Sequence, residues 1–240
     1  VKGGLMNKGF FFGAYWGPRS AEVGELAKSL GALLHEIGLF EHWDGKWFKK
    51  GKSKAEALSH LVLNDLHSLE ELLANGTRRN DDGEKLPELG YNFSIWNGSE
   101  VPAPVLSLSG SLGMTSAALT NCILLTVHGS SIEEVFPDTA KTLPFVDALV
   151  KHFDPEWVVL TDNTLLDAIE IDGGKTKPLP GWIMYRTPKL ASFGWPSMHD
   201  QLSSCSTGEV CLVSRTPEVL RNSASEVFQS LVRWTRHEAP

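Results

Sequence analysis

The sequence predicts an α+β protein: a largely antiparallel sheet with helices packed on it, folded as a single compact domain. Three observations carry that prediction. Strand candidates at 90–97, 103–112 and 120–128 follow one another through short polar connections, which demand hairpins and therefore antiparallel pairing. Long stretches after Ser20 and at 217–236 repeat apolar residues at helical spacing. No fixed-period repeat or low-complexity linker divides the 240 residues, a length that buries a sizeable core.

In chain order, FFFGAYW at 10–16 is short and aromatic and reads as a strand, broken by Gly17-Pro18. Ser20 is placed to cap the next helix, where Val23, Leu26, Ala27, Leu30, Leu33, Leu34 and Ile37 share a face. A lysine-rich stretch at 46–54 follows, and Ser53 is placed to cap a short helix holding Ala57 and Leu58. Ser68 and Glu71 have capping-box spacing ahead of Leu69, Leu72 and Leu73, and Asn75-Gly76 ends that helix. Residues 77–88 form a polar loop with an Asp-Asp-Gly turn. In the strands beyond it, Tyr91, Phe93 and Ile95 alternate with Asn92, Ser94 and Trp96, and Leu106 and Leu108 alternate with Ser107 and Ser109, as half-buried strands do. The second half adds a helix near 138–153, a strand at 156–161, a short helix at 162–169, strands at 181–187 and 209–215, and the final helix.

Charge narrows the function. A net charge of −7 with a pI near 5.6 argues against direct nucleic-acid binding, which needs cations to neutralise phosphates. The acidity is concentrated: the window 133–172 carries ten carboxylates against Lys141 and Lys151, a net −8, leaving the rest near +1. Within it Glu133, Glu134, Asp138, Asp162 and Asp167 are the candidate contacts for a basic partner; for any single one of them a solvated helix face or loop is the commoner meaning, and the steering surface is a reading of the patch as a whole. Cys122, Cys205 and Cys211 give no even disulfide framework and no zinc spacing, which fits a reducing compartment and a cytoplasmic location. No stretch has the length of a membrane span, and the N-terminus lacks the apolar core of a secretory signal. Met6 reads as a native start, which makes 1–5 an appended segment and 6–240 the domain.

Several catalytic patterns begin and fail. Gly45 to Ser53 has five residues between its glycines where a phosphate loop has four, and Trp47 and Phe48 are too bulky to wrap a phosphate. Gly174-Lys175-Thr176 lacks the first glycine and is followed by Pro178. His35-Glu36 opens a zinc-protease pattern that Leu39 closes, and His42, His60 and His67 follow no metal spacing. Ser111 sits in Gly-Ser-Leu-Gly rather than a nucleophile elbow; a triad with Asp65 and His67, or with Asp200 and His199, could only be built by the fold. No cofactor and no metal are expected. Arg78-Arg79 before Asp81-Asp82 reads either as a loop ordered by its own ion pairs or as a recognition element.

Three segments together resemble the immunity protein 52 family. The first is Gly13-Ala14-Tyr15-Trp16-Gly17-Pro18-Arg19 with Ser20 opening a helix, and the second is Trp47-Phe48 with Lys50-Gly51-Lys52-Ser53. The third runs from Arg78, Arg79, Asp81 and Gly83 through Leu89-Gly90 to Ile95-Trp96-Asn97-Gly98. The resemblance implies an α+β immunity protein encoded beside a polymorphic toxin, commonly one with a restriction-endonuclease-like nuclease domain, for which type VI secretion is one delivery route. It implies a cognate toxin as partner and supplies structural positions rather than interface residues; because a nuclease must present positive charge to hold DNA, that partner is expected to have a basic surface. Two other classes stay open: a hydrolase using Ser111 or one of the histidines in a pocket assembled by the fold, and an adaptor that binds an acidic partner through the lysines of 46–54.

Overall fold

A computed structural model of the chain describes residues 9–39, 45–100, 104–128, 135, 139–169, 178–197, 199–204, 207–214, 220 and 222–237. Its strands are β1 Phe10–Trp16, β2 Trp47–Lys49, β3 Leu61–Val62, β4 Tyr91–Trp96, β5 Val105–Leu112, β6 Asn121–His128, β7 Trp157–Asp162, β8 Ile183–Arg186, β9 Gln201–Ser204 and β10 Glu209–Leu212. Its helices are α1 Val23–Ile37, α2 Lys54–Leu58, α3 Leu66–Asn75, α4 Thr139–Phe153, α5 Asn163–Ala168 and α6 Glu226–His237. The described strands form one sheet in the order β3-β2-β4-β5-β6-β1-β7-β8-β10-β9, with every pairing antiparallel. The predicted fold class holds. β1 lies between β6 and β7, so both halves of the chain share one sheet.

Register explains the core. Ile95, Leu108, Leu125, Phe12, Leu160, Ile183 and Leu212 stand opposite one another on successive strands, so they line one face in a single row. All seven are buried there. Helix α1 covers this face together with α3 and α4. Phe12 meets Phe145 of α4 edge-on at 4.6 Å, and Trp16 meets Phe153 at 5.9 Å. In β4, β5 and β6 the opposite face is polar and half-buried, which produces the alternation seen in the sequence. Strands β7 and β8 are buried on both faces, because Trp157 on the second face stacks on Trp234 of α6 at 6.1 Å.

Local signals differ from the sequence reading at several ends. Helix α1 starts at Val23 with Glu22 at its N-cap and no side-chain cap, so Ser20 lies outside it. Asp65, not Ser68, caps α3: its carboxylate accepts from the Ser68 amide at 2.9 Å and the Ser68 hydroxyl at 2.8 Å. Ser53 does cap α2. Strands β2, β3 and β9 were not foreseen, and α6 begins later than predicted, at Glu226.

Candidate functional site

The residues of the three family-like segments fall into distinct roles. Trp47 is buried on the helix-covered face, pairing in register with Val62, and Trp16 packs on α4. Arg19 closes the end of α4: its guanidinium donates to the Phe153 carbonyl at 2.8 Å and the Asp154 carbonyl at 2.9 Å, with the Asp154 carboxylate at 3.5 Å. A cation there meets the negative end of the helix dipole. Asn97 holds the turn between β4 and β5, accepting from the Leu106 amide at 3.0 Å and donating to the Pro104 carbonyl at 2.9 Å. Gly90 opens β4 with φ +65°.

Arg78, Arg79 and Asp81 lie in a small exposed hairpin, where Arg79 pairs with Lys85 across a bridge. This loop is not ordered by Arg–Asp pairs. Arg79 donates to the Gly83 carbonyl at 2.7 Å, and Asn80 clasps Glu84 through the Glu84 amide at 2.8 Å and its carboxylate at 3.0 Å. Among the described residues neither arginine forms an ion pair with Asp81 or Asp82.

The second and third segments meet. Phe48 stands opposite Trp96, their rings 6.4 Å apart, and the row continues through Ser107, Thr126, Phe11 and Thr161 on the face that α1, α3 and α4 leave uncovered. Gly98 makes the meeting possible: its φ is +74°, and a Cβ there would lie 2.7 Å from the Phe48 ring. Beside Trp96 is an open pocket of about 260 Å³ lined by Lys50, Gly51, Ser53, Lys54, Ala57, Trp96 and Ser107. Among the described residues the buried Trp96 Nε1 has no acceptor. His128, at the end of β6, is pushed below the ordinary histidine range, chiefly by burial and then by the Lys50 charge. Farther along the same face Tyr15 lies across Gly13, whose missing side chain leaves room for the ring, and next to Cys122. Burial, and secondarily Cys122, raises the Tyr15 phenol above its usual range.

The near-motifs resolve into structure. Lys52 donates its amide to the Glu56 carboxylate at 2.8 Å, so a carboxylate occupies the turn where a phosphate loop would hold phosphate. Glu36 accepts from Lys151 at 2.6 Å and bonds His152 at 2.8 Å, joining α1 to α4. Ser111 donates to Asn92 at 2.6 Å, Asp65 caps α3, and His199 bonds the Pro196 carbonyl, so the fold does not bring those groups together as a triad. Gly174-Lys175-Thr176 lies outside the described residues. Among the described residues there is no cluster of His, Cys, Asp and Glu suited to a metal ion, and no helix is long and apolar enough to cross a membrane.

The acidic candidates separate. Asp167 is exposed on α5, whereas Asp162 is fully buried and caps α5 through the Thr164 amide at 2.6 Å, with no surface to offer a partner. Glu133, Glu134 and Asp138 lie outside the described residues. Exposed Asp147 and Asp154 add to the acidic surface.

Sequence reasoning missed two polar anchors. Asn121 is fully buried and ties the Met114 amide and carbonyl to the Gly17 carbonyl. Arg186 binds Glu209 through two nitrogens at 2.9 and 2.7 Å and lies 4.2 Å over the Trp195 ring. Both are made by pairing across strands distant in sequence; a lone Asn opening an apolar run was the single available signal for the first.

Among the described residues helices α1, α3 and α4 cover one face of an antiparallel sheet, and a polar and aromatic stretch of the other face is half-buried. The chain belongs to the immunity protein 52 family, whose model matches residues 8–193. The match runs well past the three segments, through α4, β7 and β8. A solved structure, the Pseudomonas aeruginosa T6SS protein PA0821, superposes with a TM-score of 0.48 at 12% identity, over 93% of this chain and 76% of that one. No curated protein matches the chain.

Proposed function

We propose that this chain is an immunity protein that protects its cell by occupying a cognate toxin, and that the toxin is a basic-surfaced nuclease effector of the type VI secretion class, met in the cytoplasm. The observation that carries the reading is membership of an immunity protein family over residues 8–193. The charge distribution supports the nuclease part. A nuclease needs positive charge to hold its substrate, and the net −8 of residues 133–172 would draw such a surface in and speed association. Asp167, Asp147 and Asp154 are the exposed carboxylates of that window among the described residues named above; Glu133, Glu134 and Asp138 belong to the same proposed steering surface.

The test is co-expression with the toxin encoded beside the gene, read as cell survival and chromosomal DNA integrity, followed by association kinetics on the purified pair. Survival with intact DNA is expected. Reversing the charge of Glu133, Glu134, Asp138 and Asp167 together should slow association at least tenfold at low salt and flatten its salt dependence. A toxin that kills regardless and does not bind refutes the reading; an unchanged on-rate removes the steering surface alone.

A further inference from the structure

We infer that the Trp96 pocket and the leucine edge beside it form a toxin-docking surface, and that the toxin segment it takes carries a carboxylate next to an apolar side chain. The inference rests on the immunity reading above and deepens it. On the uncovered face, pairing sets Leu61, Phe48, Trp96 and Ser107 side by side, an apolar run that ends at the pocket. Leu61 is 48% exposed at the short edge strand β3, and Leu58, 39% exposed, packs toward Gly98 beside it. Leucines grouped at a sheet edge that keep this much apolar surface in water form an aggregation hazard unless a partner covers them.

Charge complementarity specifies the partner. Residues 46–54 hold five lysines and no carboxylate, in a protein whose net charge is −7. Two of those lysines, Lys50 and Lys54, line the pocket. Lys54 is neutralised by Glu100, but among the described residues Lys50 enters no ion pair and is exposed. The remaining side-chain polar groups open to the pocket are the hydroxyls of Ser53 and Ser107, both able to donate, and among the described residues no carboxylate belongs to the lining. A carboxylate side chain entering here meets a cation and hydroxyl donors, while its apolar neighbour lies on Leu61 and Phe48. An aromatic centre surrounded by a charged rim is the arrangement that concentrates binding energy at protein interfaces. A basic segment would instead bring like charge against Lys50. This surface is distinct from the acidic window: one steers a basic body, the other anchors an acidic side chain.

The experiment measures affinity between the full chain and the purified neighbouring toxin at 150 mM salt, by calorimetry or interferometry, for the natural protein, K50E/K54E and L58S/L61S, each first shown to melt like the natural protein. The expected result is a loss of at least tenfold in affinity for each double variant, and recovery in K50E/K54E when one toxin Asp or Glu at the interface is changed to Lys. Equal affinity in all three proteins overturns the docking surface and leaves the immunity reading standing. Failure of the natural protein to bind overturns both. If light scattering shows a dimer that the leucine variants dissociate, the edge is covered by a second copy and the inference also fails.

Discussion

Replacing Asn121 by alanine probes how the halves of the sheet are locked to β1. Asn121 Oδ1 accepts from the Met114 amide at 2.8 Å, and its Nδ2 donates to the carbonyls of Gly17 at 2.8 Å and Met114 at 3.0 Å. The truncation leaves the Met114 amide and the Gly17 carbonyl without their side-chain partner, whereas the Met114 carbonyl keeps the Arg19 amide at 2.9 Å. The Met114 amide is stranded in buried surroundings at about 1–3 kcal/mol, the half-buried Gly17 carbonyl can turn to water at about 1 kcal/mol or less, and with a small void the loss comes to roughly 2–4 kcal/mol. For a domain of this size that lowers the melting temperature by roughly 5–15 °C. Urea titration followed by tryptophan fluorescence, with calorimetry alongside, reads it directly. Asn80→Ala is the contrast: it also removes two hydrogen bonds, to Glu84, but these are exposed and water replaces them. The expected cost there is at most about 1 kcal/mol. If Asn121→Ala costs no more than Asn80→Ala, burial of the Asn121 network is not what holds the β1–β6 junction.

Two further outcomes follow from the same geometry. Glu209 is held below the ordinary carboxylate range, first by its hydrogen bonds from Arg186 and then by Trp195. A depressed folded-state value contributes stability above the unfolded one and loses it as pH falls through the folded one. The stability gap between natural protein and Glu209→Gln should therefore be constant from neutral pH to about 5 and close below about 4.5, the unfolded Glu range; a gap that widens on acidification contradicts the pair. Gly98→Ala forces a side chain into φ +74° and against Phe48. The strain of the left-handed region is about 1–2 kcal/mol, and because Phe48 must move, toxin affinity should fall along with the melting temperature; unchanged affinity would place Phe48 outside the docking surface.

Much of the fold was legible because one face of β4, β5 and β6 is covered by helices and the other is not. That asymmetry writes a period of two into YNFSIW and VLSLSGSL. β7 and β8 carry no alternation, being buried on both faces, and were readable as short apolar runs. β2, β3 and β9 were invisible for another reason: strands of three, two and four residues carry too little pattern, and their pairing depends on partners distant in the chain. Ser20 and Ser68 mislead because several polar residues lie close to each helix start, and in the fold Glu22 and Asp65 take the cap positions. The site was legible as segments but not as a place. Trp47-Phe48 and Trp96-Asn97 could be singled out by residue type, yet only the β2–β4 register puts Phe48 on Trp96 and leaves Lys50 at the same pocket. The buried state of Asp162 was hidden likewise, since a helix-capping carboxylate and a surface carboxylate look identical in sequence.

The position of β1 has a temporal consequence. Its two neighbours, β6 and β7, lie roughly 105 and 140 residues downstream of it in the chain. A ribosome adding ~5–20 residues each second needs roughly 7–30 s between finishing β1 and finishing the strand that flanks its far side. Until β6 is complete, roughly 6–22 s at that rate, Phe10, Phe12 and Trp16 have no neighbouring strand to pair with, and for the rest of the interval the β7 side of β1 stays unpaired. Because β1 sits near the middle of the sheet, the half built from β2 to β6 and the half built from β7 to β10 cannot be joined until residue 162 has been made.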